Sequence, residues 1–523
     1  SNNMRHGLNR PFVINNENIP FVGLDDSIRY LGVPLTVRKF IKLKNSKDHV
    51  LKFVEKAHKI FDSCLLITQK IHAVKTFLIP SLDYILSNGQ MKINDIKKLD
   101  SLISSLINKE VKGNVPLAVK HGSWKDGGLS IPSLLEKSYT CKVKSLIRLM
   151  TNKDHDIKIL GLSALEGEKR KRHVETELVQ SNQSFFDWKV INPSNENTGT
   201  NSIIQRARVA LNKLDLTLKA IDSNDINDQD NSEEDNNEHH LINDLELNDI
   251  SLNKSIKFDS CKKISLFLTS RRRDRWKEKM QRNSFHLHSM LSFNENPLSN
   301  YYLLRQYKPI CDSLFKFALK GRTNLLGTPE VNELYNSLPH TFCPNCALHG
   351  KSFIQSLAHI LNGCIYRYPQ YKQRHNRIQN ILLEYVRKLS GVEEIYTDHT
   401  VGLNTLPTHL RNLRPDIVAW HSSRSKCTII EISVPYAGFN WSNDTLNKVF
   451  NNKKSKYSQL VDFIHSQNII VEFYVVIVSS LGAVFHKSIS ELNRLVTCKK
   501  TCKTLIKRLS INPDIHEIDP DSD

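Results

Sequence analysis

Residues 414–433 read RPDIVAWHSSRSKCTIIEIS, two apolar, largely β-branched runs on either side of the polar stretch HSSRSK. Such runs around a short polar turn are the pattern of a β-hairpin. Each run carries one acid, Asp416 and Glu431, where a strand interior should be apolar. A turn centred between Ser423 and Arg424 sets these two acids opposite one another. Directly opposed like charges cost a sheet a few tenths to about 1 kcal/mol, so something must compensate them. A divalent cation would do so. Opposed Cβ atoms lie about 4.5–5.5 Å apart, which lets two carboxylates share one Mg²⁺ or Mn²⁺, ions that take hard oxygen ligands. The competing reading is two edge carboxylates that reach water or pair with Arg414.

The segment that follows bears on this choice. In TLNKVFNNKKSKYSQLVDFI, Leu446, Phe450, Lys453, Tyr457, Leu460 and Ile464 form a helical stripe that Lys453 interrupts. Lysine rarely occupies a buried stripe without a partner. Lys456 lies at the edge of the same face, and Lys454 points away. The apolar run NIIVEFYVVIVSSLGAVF (468–485) then reads as a strand buried on both faces of a mixed α/β core. Two carboxylates on a hairpin with an inward lysine on the next helix suit metal-dependent phosphodiester hydrolysis. In that chemistry the metal polarises the phosphate and activates water, while the lysine orients the nucleophile or stabilises developing negative charge.

A second constellation lies upstream. CPNCALHGKSFIQSLAHILNGC places Cys343, Cys346, His359 and Cys364 in a C-x2-C-x12-H-x4-C spacing that can close a tetrahedron around Zn²⁺. Four protein ligands leave no open position, so the site is expected to be structural. His349 is a rival ligand, but it sits in a polar loop, whereas His359 lies one helical turn before Cys364. The bland alternative is a set of reduced, buried cysteines. Cys498 and Cys502 read as partly buried thiols, and ten cysteines spread over 523 residues do not form a secreted disulfide framework.

The formal net charge of +19 favours polyanionic partners. Length and a 39% hydrophobic content point to roughly three or four globular domains. No run reaches the roughly 18–20 apolar residues of a membrane span, and SNNMRHGLNR lacks a signal-peptide core, so an intracellular protein is expected. The opening NIPFVGLDDSIRYLGVPL suggests short β segments around a turn at Asp25 and Asp26. From about residue 48 to 150 the pattern is helical, with Val50, Phe53, Val54, Ala57, Ile60 and Phe61 on one face and a break expected at Pro80. Between Lys219 and Lys254 there is no lysine or arginine, and the Asn/Asp/Glu-rich composition predicts disorder, or else an acidic segment that competes for a basic groove. SRRRDRWKEKMQR (270–282) is either a solvated helix or one whose Arg271, Arg272, Arg273, Arg275 and Lys277 contact phosphates around Trp276. GEKRKRH (167–173) reads as a nuclear import signal or a solvated loop.

In this order the motifs resemble the C-terminal part of the polyprotein of site-specific non-LTR retrotransposons that carry a restriction-like endonuclease. RYLGVPL resembles the segment after the reverse-transcriptase palm, and FLIPSLDY with GGLSIPSL resembles the thumb. FALKGRTNLLGTPE is similar to the helical linker, Cys343 to Cys364 to the CCHC knuckle, and QRHNRIQNIL to the helix leading into the nuclease. RPDIVAW, IIEISVPY, KKSKY and VVIVSSLGAVF resemble the nuclease core.

The resemblance implies a multidomain chain: an α-helical thumb and linker, a small zinc knuckle, and a C-terminal mixed α/β PD-(D/E)XK nuclease. The implied boundaries are 1–45 for the end of the palm-like region, 46–160 for the thumb, 161–220 for a helical linker and 221–253 for the acidic disordered insertion. A basic helical linker over 254–340, the knuckle over 341–370, the nuclease over 371–510 and an acidic tail over 511–523 follow. Asp416 and Glu431 become the Mg²⁺ or Mn²⁺ ligands, and Lys453 and Lys456 match the family's K-x-x-K-Y, with the choice between them open. Ser433 stands where simpler restriction enzymes keep a lysine.

The resemblance also implies nucleic-acid contacts at Arg322, Arg374, His375 and Arg414. Its implied partners are target double-stranded DNA, the element RNA, and the palm and fingers of the same polyprotein, with no membrane, in the nucleus. In such elements a nick in target DNA frees a 3′ hydroxyl that primes reverse transcription. The paired aspartates of a polymerase palm are not found here. GLDD (23–26) lacks the aromatic residue and lies too close to YLG, so reverse transcription by this chain alone is not expected. Two other readings stay open: a catalytically inactive nucleic-acid-binding remnant, and an unrelated PD-(D/E)XK resolvase or repair nuclease.

Overall fold

The computed structural model describes residues 12–14, 17–19, 27–30, 33–36, 46–88, 91–152, 154–171, 203–221, 244–250, 254–258, 261–282, 297–303, 311–328, 331, 342–436 and 443–510. They divide into two compact units, one from residues up to 63, 73–103 and 132–272, the other from 64–72, 104–131 and 273 onward. The division runs through the stretch expected to be a single thumb-like domain. The acidic tail, Asp25 and Asp26 lie outside the described residues.

The first unit opens with two short antiparallel pairs, β1 (Phe12–Ile14) with β2 (Glu17–Ile19) and β3 (Ser27–Tyr30) with β4 (Val33–Thr36). Helix α1 (Ser46–Phe61) buries Phe53, Ala57 and Phe61 at the four-residue steps its sequence sets. At Pro80 the chain does not leave the helical path as expected. A π turn, Val74–Leu78, passes into a 3-10 turn, Ile79–Leu82, before α geometry resumes at Asp83. Proline cannot donate to the α ladder, and the looser and tighter turns absorb that loss.

Helix α2 (Leu134–Met150) starts at Ser133, whose hydroxyl accepts from the Glu136 N–H. The Asp100 carboxylate accepts from the Ser133 hydroxyl and the N–H groups of Leu134 and Leu135, satisfying donors that a helix start leaves open. α2 packs with α3 (His155–Lys171), α4 (Ile203–Lys213) and the sheet β5 (Leu216–Ile221), β6 (Asp244–Asp249), β7 (Lys254–Phe258) around Val143, Ile147, Ile204, Leu211, Leu218 and Leu247.

Two expectations are corrected here. The C-terminal end of the supposedly disordered 221–253 is the central strand β6, because DLELND alternates and buries Leu247 while composition alone reads it as acidic coil. Strands β5 and β7 also fall in stretches expected to be helical linker. Residues 222–243 lie outside the described residues, as do 172–173 of the import-signal stretch.

The second unit is built on a four-stranded mixed sheet of β8 (Val392–Thr397), β9 (Ile417–His421), β10 (Lys426–Ser433) and β11 (Ile470–Ile477), in the order β11-β10-β9-β8. β10 and β11 are parallel, and the other pairs are antiparallel. One face packs on α7 (Tyr368–Val386), α9 (His486–Leu495) and α10 (Lys499–Ser510) through Ile417, Ala419, Ile430, Ile432, Tyr474 and Val476. The other takes α8 (Asn443–Ser466) through Val418, Trp420, Cys427 and Ile429 against Tyr457, Leu460 and Ile464. β11 is an edge strand buried over its second half only, and Ile470 is 61% exposed, so the expectation of a strand buried throughout holds for Tyr474–Ile477 alone. Among the described residues no helix is long and apolar enough to cross a membrane.

Candidate active site and metal centre

The hairpin turns where its sequence puts the turn. Ser423 and Arg424 both take the left-handed backbone (φ 57° and 51°), as a two-residue hairpin turn matched to strand twist requires. Pairing then runs Cys427 with Trp420, Thr428 with Ala419, Ile429 with Val418 and Ile430 with Ile417. Continued one step beyond the paired residues, this register sets Glu431 opposite Asp416, which lies just ahead of β9, and Glu431 shares the face of Ile429, toward α8.

Both acids are buried, Glu431 at 2% and Asp416 at 9% exposure. Lys453, on the inward face of α8, donates to Glu431 Oε1 at 2.6 Å. Lys456 comes within 4.0 Å of the same oxygen and donates to the Tyr457 hydroxyl at 3.0 Å. Lys454 turns to the Phe473 carbonyl and Glu491 instead. Burial, then the charge of Asp416, raises the Glu431 carboxyl above its ordinary range, with Lys453 and Lys456 pulling it back. Glu431 Oε2 is buried and finds no hydrogen-bond partner among the described residues.

Asp416 is gripped from several sides. The Ile432 N–H donates to its Oδ2, the Gln379 amide donates to its carbonyl at 2.6 Å, and the His375 Nε2 lies 3.3 Å from its Oδ1. Burial opposes charge on His375, but its contact with Asp416, aided by Asn376 and Asp398, holds the imidazole above its ordinary value. An orphaned, buried carboxylate oxygen beside a second carboxylate fits a divalent cation with oxygen ligands.

In the other cluster, Cys343, Cys346, His359 and Cys364 bring their ligand atoms within 4.8 Å of one another, all buried. The Cys364 sulfur is 3.8 Å from both other sulfurs, and Cys346 is 3.3 Å from His359 Nε2. Sulfurs at about 2.3 Å from a tetrahedral zinc stand about 3.8 Å apart, so the cluster fits a structural zinc site. Burial, followed by the neighbouring thiols Cys364 and Cys343, pushes Cys346 up to about 12, so these thiols resist ionising together without a cation among them. Burial and then the Arg367 charge hold His359 low, in the neutral form a ligand needs. Tyr371 braces the loop, accepting from Cys364 N and contacting the His359 carbonyl. His349, the rival, is exposed and stacks on Tyr366.

No protein-family model matches this chain. Over 125 residues, 24% of its length, it is 30% identical to the retrovirus-related Pol polyprotein from type-2 retrotransposable element R2DM of Drosophila melanogaster. The match spans 11% of that polyprotein. This similarity supports a retrotransposon-related origin.

The basic residues expected at a nucleic-acid surface divide sharply. Arg271 is buried, pairing with Asp249 and the Leu214 carbonyl. Arg273 forks onto the buried Asp126. Arg322, 1% exposed at the end of α6 (Asp312–Arg322), donates to Asn300 Oδ1 and the carbonyls of Ser299 and Leu481. Arg374, pressed down to about 10 by burial, donates to the Leu361 carbonyl. Arg271, Arg322 and Arg374 are thus internal struts, which corrects the expectation of phosphate contacts there, since neither a basic run nor a motif reports exposure. Arg272, Arg275 and Lys277 are half-buried on α5 (Cys261–Arg282), His375 faces Asp416, and Arg414 is exposed. Gln379 and Asp398, whose N–H donates to the Asp416 carbonyl, were missed by sequence reasoning. Only the i, i+4 spacing of His375 and Gln379 could have hinted at a shared face.

Proposed function

We propose that the chain carries the metal-dependent DNA endonuclease of a non-LTR retrotransposon polyprotein, on a PD-(D/E)XK fold. It nicks target double-stranded DNA in the nucleus so that the freed 3′ hydroxyl primes reverse transcription of the element RNA. The observation that carries this reading is the facing pair Asp416 and Glu431, with Lys453 on one oxygen of Glu431 and the other oxygen buried and without a hydrogen-bond partner among the described residues. The retrotransposon-related similarity is consistent with it.

Asp416 and Glu431 would hold Mg²⁺ or Mn²⁺. When bound, such an ion polarises a phosphate oxygen and acidifies water. Glu431 offers Oε2, because Lys453 occupies Oε1. Lys453 keeps spare N–H donors to orient a water molecule or to stabilise charge gathering on the phosphate. Lys456, more exposed, is suited to the DNA backbone. The Cys343, Cys346, His359 and Cys364 site has no open position and holds the knuckle's shape.

The knuckle supports a nucleic-acid partner. From Glu333 to Glu384 the sequence has no acid between them, yet it includes Lys351, Arg367 and Lys372. Phe342, Phe353 and Tyr368 on it are exposed, and aromatic rings in a basic setting stack on bases.

The test is nicking of supercoiled plasmid with Mg²⁺ or Mn²⁺. The wild-type chain should nick and Asp416→Ala should not; unchanged nicking by the variant defeats the assignment. Salt-sensitive DNA binding with no nicking by the wild type would instead favour the inactive nucleic-acid-binding remnant.

A further inference from the structure

Asp416 lies one residue ahead of β9, where strand pairing no longer dictates the direction of its side chain. A carboxylate turns easily about its last torsion, so one hydrogen bond does not fix its plane. Here each oxygen has its own partner: Oδ2 accepts from the Ile432 N–H across the hairpin, and Oδ1 meets His375 Nε2 at 3.3 Å. The backbone of the same residue is tied down by Gln379, which donates to the Asp416 carbonyl at 2.6 Å. His375 and Gln379 stand four residues apart on α7, one above the other on a single face. One helix therefore grips both the main chain and the carboxylate of one residue. Gln379 is 5% exposed and can serve only the interior.

We propose that His375 is a positioning residue that sets the carboxylate plane of Asp416 for a divalent cation, with Gln379 as the anchor that holds Asp416 and α7 in register. The inference rests on reading Asp416 as an ion ligand. Partners behind a metal ligand orient it, and their loss typically weakens ion affinity about 10–100-fold. A DNA-phosphate role for His375 makes a different demand. It would need Nε2 turned outward, and it would alter DNA affinity and its salt dependence rather than ion affinity.

The experiment uses the full chain and Mn²⁺ as the probe. Electron paramagnetic resonance counts bound Mn²⁺ in wild type, Asp416→Ala, His375→Ala and His375→Gln, and thermal melting checks that each is folded. Nicking is measured against Mn²⁺ and against DNA concentration. The expected result is a roughly tenfold or greater loss of Mn²⁺ affinity in His375→Ala, with the KM for DNA nearly unmoved. His375→Gln, whose amide can donate to Oδ1, should recover most of that loss. Unchanged Mn²⁺ affinity in a folded His375→Ala overturns the proposal, above all if its KM for DNA rises and its salt dependence flattens. Mn²⁺ binding sensitive to Asp416→Ala but without nicking would defeat the nuclease reading alone, and the His375 affinity ratio would still decide this one.

Discussion

Lys453 satisfies one oxygen of Glu431, Oε1 at 2.6 Å, and the second oxygen is buried beside Asp416 with no hydrogen-bond partner among the described residues. A half-satisfied buried carboxylate is costly, and a divalent cation would relieve both the orphaned oxygen and the facing negative charges. Added Mg²⁺ or Mn²⁺ should therefore raise the melting temperature of the wild-type chain. At a hundredfold excess over Kd the gain is about 2.7 kcal/mol. Glu431→Gln should melt at the same temperature with and without the ion, read by calorimetry in buffers that leave zinc in place.

The two lysines should separate by burial. Lys453→Met removes the partner of an almost fully buried acid, and because the lysine is itself about 29% exposed the loss is moderated to about 1–3 kcal/mol. Lys456→Met, at an exposed position 4.0 Å from Glu431, should shift stability by no more than about 0.5 kcal/mol. Urea unfolding gives both values. Nicking should collapse in the first variant and weaken in the second, and equal losses would contradict the assignment of Lys453 as the inner lysine.

For the cluster of Cys343, Cys346, His359 and Cys364, the expectation is one tightly held zinc that depends on His359 and not on His349. His359→Ala and Cys364→Ala should lose the metal and loosen residues 342–364, measured by elemental analysis and hydrogen exchange. His349→Ala should keep stoichiometric zinc, since that ring stacks on Tyr366 outside the cluster. Chelation of the wild type should reproduce the Cys364→Ala pattern.

What could be read from the chain follows the range of the interactions. The hairpin was legible because turn chemistry and alternation are local, and the pairing of Ile430 with Ile417 follows from the position of Ser423 and Arg424. Lys453 was legible as a charge on an apolar stripe. The grip on Asp416 was not, because Gln379 reaches it from 37 residues upstream and nothing local announces that approach. β6 was hidden by its acidic surroundings, although Leu245 and Leu247 alternate. The arginines misled because Arg322 and Arg374 owe their positions to carbonyls brought in by tertiary folding.

A pH effect follows from Lys120, which is 2% exposed and donates to the Ser104 carbonyl and hydroxyl. Burial lowers its ammonium from 10.5 to about 8. Between these values the unfolded chain holds the proton and the folded chain has released it, so stability rises with pH across that window. Below about 8 the folded state bears the cost of a buried charge, on the order of 3 kcal/mol. Lys120→Met should flatten this rise in urea titrations between pH 7.5 and 10, and an unchanged slope would show that other groups carry it.

Arginines that build the protein should behave differently from exposed side chains that can meet nucleic acid. Arg322→Ala removes the hydrogen bonds to Ser299, Asn300 and Leu481, and at about 1 kcal/mol for each it should cost about 3 kcal/mol of stability. Arg322→Lys should recover little, because an ammonium cannot reproduce a planar fork spanning three acceptors. Neither variant should change the affinity of the folded chain for a single-stranded oligonucleotide. Phe342→Ala and Tyr368→Ala, on exposed rings, should leave melting nearly unchanged and weaken that affinity by about 1–3 kcal/mol each, with the salt slope preserved because no charge is lost. Fluorescence anisotropy across a salt series distinguishes the two classes. A steeper loss of affinity in Arg322→Ala than in Tyr368→Ala would return Arg322 to the nucleic-acid surface.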